Sequence, residues 1–275
     1  MKTKGLSLNS NKLSEIDLSA YTNLQHLELS QNELTSIDLS QNLRLNYLSI
    51  SSNALSEIDL SNNVEIINLS VDDNALTYID LNNNINIESL NISFNQLTSL
   101  GLTSLTKLVT LSAESNLITS IDLTQNTLLH AVFLSYNQLS EVDLSQQALL
   151  VWVHISNNDL TEVHLSQNAL LTSIQLSHNQ LSVIDLSSNN KVSYLDLSSN
   201  LLTEIEISHL SQLEYLHAHS NQLAVIDVGN ANELKGLHIG ENELTELNLE
   251  ANLELTYLAV WGNSLASIDL SVSAP

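Results

Sequence analysis

The sequence predicts a mainly β solenoid of thirteen coils, with two parallel sheets and little or no helix. Three observations carry that prediction. Asparagine recurs every 21 residues at Asn11, Asn32, Asn53, Asn74, Asn95, Asn116, Asn137, Asn158, Asn179, Asn200, Asn221, Asn242 and Asn263, with no insertion or deletion. Within a repeat, apolar residues alternate around single polar ones, which is the period of a strand and not of a helix. The 275 residues include only six Gly and one Pro, so the turns must be made by other residues. Thirteen repeats occupy residues 3–275 and make the chain a single array.

The copy at residues 45–65, LNYLSISSNALSEIDLSNNVE, shows the elements in order. Leu48 and Ile50 face one way around Ser49, giving a first strand. Ser51, Ser52 and Asn53 follow as a turn, because Asn tolerates unusual backbone angles and can bond its neighbours. Ile58 and Leu60 around Asp59 give a second strand. Asn63 marks a second turn, looser than the first, since Leu105 and Leu210 replace Asn at this position. Stacking coils pairs each strand with its equivalent in the next and encloses a shared Leu/Ile core. One coil cannot bury its own apolar face, so the array must fold as a unit. The turn asparagines read as a structural ladder that supplies partners to buried backbone groups.

The motif LxxLxLSxNxL, present as LQHLELSQNEL (24–34) and VSYLDLSSNLL (192–202), resembles the leucine-rich repeat signature. The nested period of 10 and 11 residues, with IDLSxN in the second half, is similar to the short bacterial class of that family. The resemblance implies a non-enzymatic protein-interaction or adhesion module at a bacterial cell surface or outside the cell, with a cytoplasmic location left open. The effector type with Leu-Pro pairs is not matched. No capping segment precedes Leu6 or follows Leu270, so the expectation is a segment of a larger protein, or ends that stack on another surface; a monomer or end-to-end stacking is expected.

Composition removes several function classes. There is no Cys, which excludes disulfides, thiolate metal sites and cysteine nucleophiles. Seven Lys and Arg against 31 Asp and Glu give a net charge of −24, which opposes binding to nucleic acid or anionic lipid. No apolar run is long enough to cross a membrane, and MKTKGLSLNS has no apolar signal-peptide core. GxSxG, HExxH, GxGxxG and GxxxxGK[ST] strings are absent, so no enzyme is expected.

The two strands carry different outward chemistry. The second bears acidic columns, among them Glu15, Asp17, Asp38, Glu57, Asp59, Asp80, Asp122, Asp143, Asp185, Glu206 and Asp227. They read as a solubilising face, with weak Ca²⁺ binding as the alternative. The first strand is plain in the N-terminal half and then presents Trp152, His154, Tyr194, Asp196, Tyr215, His217, His219, His238, Tyr257 and Trp261. Exposed aromatics and histidines on a rigid sheet are the material of a recognition surface, for a protein partner or alternatively a glycan. Ring stacking along the solenoid would account for the same residues. Asp196, His217, His219 and His238 fall within one patch and offer ligand types suited to Zn²⁺, although parallel side chains oppose a tetrahedral site.

Overall fold

The structure is a computed structural model and describes residues 2–270. It divides into two compact units, Met1–Leu139 and Ser140–Pro275. The first holds seven strands: β1 (Gly5–Ser7), β2 (His26–Glu28), β3 (Tyr47–Ser49), β4 (Asn68–Ser70), β5 (Ser89–Asn91), β6 (Thr110–Ser112) and β7 (Ala131–Phe133). The second holds β8 (Trp152–His154), β9 (Ser173–Gln175), β10 (Tyr194–Asp196), β11 (Tyr215–His217), β12 (Gly236–His238) and β13 (Tyr257–Ala259). Within each unit the strands pair in parallel in chain order, with residues 21 apart in register, as in Leu90↔Leu111 and Leu195↔Leu216. The described residues contain no helix. The mainly β solenoid expected from the repeat is therefore what forms. Residues 271–275 of the expected array lie outside the described residues.

The expectation of two sheets is corrected. Among the described residues each coil contributes one strand, and the second half-repeat forms only an isolated bridge, His164↔Asp185. The reason is local. Two consecutive turns bound the extended stretch and use one of the carbonyls a ladder would need, as in Asn42 N–H to Leu39 O, followed by Leu45 N–H to Asn42 O. The Asp before them spends its carboxylate on the same turn, as described below.

The first turn is built by the asparagine ladder. Asn95 Nδ2 donates to the carbonyls of Val71 (3.1 Å), Ile92 (3.1 Å) and Ser93 (3.2 Å), and its Oδ1 accepts from Leu76 N–H at 3.0 Å. One amide thus closes its own turn and ties it to the previous coil. The left-handed residue is the one before the asparagine, not the asparagine itself. Twelve non-glycine residues from Ser10 to Glu241 take φ between 50° and 59° there. That conformation costs an L-residue about 1 kcal/mol, and the ladder overrides it.

The second turn is not loose. Asn42, Asn63, Asn84, Asn126, Asn168, Asn189 and Asn252 are fully buried. Asn63 Nδ2 donates to Leu39 O and Asn42 O, both at 3.1 Å, and the pattern repeats along the column. Their Oδ1 atoms have no partner. With only two bonds and an unpaired oxygen, this asparagine can be exchanged for an apolar residue. Leu105 and Leu210 are such replacements and are wholly buried, as expected.

Candidate functional site

The outward side chains of β8–β13 form the candidate surface. Strand alternation buries the middle residue of β8–β12, such as Leu195, Leu216 and Leu237, and turns most of the flanking side chains outward. Six of the ten candidate residues are linked by rings into one chain. Tyr194 lies 6.2 Å from Tyr215 and 5.5 Å from His217, centroid to centroid. His217 and His238 are 5.8 Å apart, and His238 meets Tyr257 edge-on at 6.2 Å. His219 joins through a 4.5 Å contact with His238. Burial pulls the imidazoles of His219 and His238 below the ordinary histidine range, and His238 is further lowered by the neighbouring His219. Both shifts favour the uncharged form of these two rings.

Two glycines on one coil shape the patch. The coil Gly236-Leu-His-Ile-Gly240 leaves gaps on either side of His238. A Cβ at Gly236 would stand 2.8 Å from Cδ1 of Tyr215, and one at Gly240 would stand 2.7 Å from Cε2 and Nε1 of Trp261. Tyr215 and Trp261 thus lie back across β12 from opposite sides, each still 40% or more exposed. The sequence reading missed both glycines, although a chain with six Gly that spends two on one coil carries the signal. Trp152 and His154 are not part of this group. They are separated from β10 by β9, where Ser173 and Gln175 take the equivalent places, and His154 Nε2 lies 3.1 Å from Ser173 Oγ.

Gly240→Ala should displace the Trp261 indole from the sheet. In a Trp152→Phe background the Trp261 emission should shift to the red, while stability falls by less than about 1 kcal/mol because the ring is already half exposed. An unchanged spectrum would mean that the indole does not rest on Gly240.

Of Asp196, His217, His219 and His238, the three histidines meet ring to ring, His217 and His219 each against His238. The Asp196 carboxylate is taken by Ser198, accepting from its N–H at 3.0 Å and its hydroxyl at 2.6 Å. Among the described residues no group of three or more His, Asp or Glu side chains is arranged to hold a metal ion.

The acidic columns have a structural task that the sequence reading did not assign. Asp59 Oδ1 accepts Ser61 N–H at 2.9 Å, and the equivalent bond is made by Asp17, Asp38, Asp80, Asp122, Asp143, Asp185 and Asp227. Glu206 and Asn248 do the same in their coils. Bonding to the serine two residues on, by hydroxyl and then by N–H, holds Asp17, Asp38 and Asp59 below the ordinary aspartate value near 3.8. Their folded values lie below the unfolded one. The stability they add is therefore present above that value and is lost as the pH falls through the lowered folded values. Replacing all three with Asn keeps the acceptor, as Asn248 does. The triple variant should melt near the parent temperature at pH 7 and lose less stability than the parent below pH ~4. Identical acid limbs would show that these carboxylates do not titrate with unfolding.

The Leucine Rich Repeat family profile matches residues 86–108. The functional domain of InlJ from Listeria monocytogenes, a structure that includes a cysteine ladder, is 30% identical with a TM-score of 0.93, covering 99% of this chain and 66% of that one. The chain is a leucine-rich repeat protein. The internalin InlF of Listeria monocytogenes, at 24% identity and TM-score 0.89, shares the fold over 98% of this chain and 84% of its own. The Leptospira interrogans leucine-rich repeat protein LIC12759 does so at 22% identity and TM-score 0.85, over 98% and 80%. No curated protein matches the chain. This leucine-rich repeat protein spans just under two thirds of the InlJ structure and, without Cys, cannot form that ladder. Leucine-rich repeat solenoids commonly serve as protein-interaction modules and are typically non-enzymatic. Among the described residues no helix is long and apolar enough to cross a membrane.

Proposed function

We propose that this chain is a non-enzymatic adhesion or interaction module, acting outside the cell or at a bacterial surface, that binds a protein partner through the face running from Tyr194 to Trp261. The observation that carries the reading is the Gly236–Gly240 coil. It lets Tyr215 and Trp261 lie across β12 with their rings exposed. Large amphipathic rings held in place by a rigid sheet gain contact area at little entropic cost, which suits a binding hot spot. Trp152 and His154 lie at one margin of this surface. A photo-reactive amino acid at Tyr257 should give adducts on an array of extracellular proteins that are absent when the same group stands at Glu57. Equal adducts from both positions would contradict the assignment.

The same flat rings favour a second reading, a glycan, because sugar rings stack on aromatic faces. Binding on a glycan array that Gly240→Ala abolishes, with no protein adducts, would select it.

A further inference from the structure

The first turn of each coil places one residue in the left-handed region, and ten of the twelve non-glycine occupants are Ser, Gln, Asp, Asn, His or Glu. The other two are Phe94 (φ 54°) and Tyr136 (φ 59°). A bulky aromatic is poorly suited to this conformation. Packing does not account for either ring, since they are 59% and 60% exposed. Both belong to the first unit, whereas the Tyr194–Trp261 surface belongs to the second.

Their spacing is what suggests a use. They lie two coils apart with Ser115 between them, and Ser115 adds almost no bulk. At about 4.8 Å per strand, the two backbones stand roughly 10 Å apart, so a cation held midway lies about 5 Å from each column, within cation–π reach. Leu117, two residues on from Ser115, is also exposed. The charge around these residues has one sign. Glu114 precedes Ser115, and burial raises its carboxyl above the ordinary glutamate value. Asp72 and Asp73 lie on the coil before Phe94, where Asp73 N–H bonds Ser93 O. Lys107 is the one Lys or Arg between Arg44 and Lys191, and its ammonium is engaged in the second turn with Asn86 Oδ1 at 2.8 Å.

We propose that Phe94 and Tyr136 form the walls of a second binding site, which takes the guanidinium of an arginine in a basic segment of a partner protein. A guanidinium is planar and cationic, so it can stack on one ring and stay within cation–π reach of the other while its N–H groups face the Glu114 side. Lysine offers a point charge and no plane. This site does not depend on the reading given for the Tyr194–Trp261 face.

The test is an NMR titration of the full ¹⁵N-labelled chain with acetyl-Gly-Arg-Gly-amide and its lysine and citrulline counterparts. The arginine peptide should shift the amides of Phe94, Ser115 and Tyr136 and bind about tenfold tighter than either counterpart. Phe94→Ser and Tyr136→Ser install the residue that five other coils use there. Each should weaken the arginine peptide about tenfold, and each should melt no lower than the parent, while Trp261→Ser leaves the titration unchanged. Shifts that do not localise to these amides would overturn the proposal. So would equal binding by lysine or citrulline, or an affinity that survives Phe94→Ser.

Discussion

Asn95→Ala should destabilise the protein by about 4 kcal/mol, near 1 kcal/mol for each of the four hydrogen bonds its amide makes. The three carbonyls that lose Nδ2 each keep another donor. Leu76 N–H does not, and is left buried without a partner, which makes this the costliest of the four losses. Asn126→Leu is the informative contrast. It removes two donated bonds, but also a buried oxygen that has no partner, and places a residue already found at Leu105 and Leu210. Its change should stay within about 1 kcal/mol. Chemical denaturation of both variants checks the pair; similar losses would mean that the two asparagine columns do the same work.

Leu111→Ala should cost about 3–5 kcal/mol. Leu111 is wholly buried on β6 and lies in register with Leu90 and Val132, which are held by their own ladders and cannot collapse into the space. Because each coil packs only on its neighbours, the loss should appear first as faster amide exchange across β5–β7. Leu6→Ala is the comparison. Leu6 is only partly buried on β1, so less is lost by removing its side chain. Equal losses at Leu6 and Leu111 would contradict the core assignment.

Much of this was legible because a 21-residue period states the same local choice thirteen times. The positions of Leu48, Ile50 and Asn53 within a coil dictate a buried face and a turn regardless of what lies further away. The second half-repeat misled for a physical reason. Ile58-Asp59-Leu60 alternates as a strand does, but Asp59 turns its carboxylate onto Ser61 N–H, and two tight turns follow. Alternation reports which side chains are buried; it does not report where the backbone hydrogen bonds go. At the candidate surface, the identities of Tyr215, His217 and Trp261 were visible, but their orientation was not. That depends on what the next coil lacks, as Gly236 and Gly240 show. Phe94 and Tyr136 stood out only once their backbone angles were known.

A single ladder on one side of each coil makes the rigid surface, while asparagine amides and Asp-capped turns hold the rest. Native-state amide exchange, read residue by residue, tests it most directly. Ile50 N–H, bonded to Ser70 O, and Leu55 N–H, bonded to Asn74 Oδ1, should both be strongly protected. The amides of Glu57, Ile58 and Asp59, which take no part in a ladder, should exchange at least about a hundredfold faster. Protection at Glu57–Asp59 equal to that of Ile50 would mean that a second sheet exists, and would contradict the account.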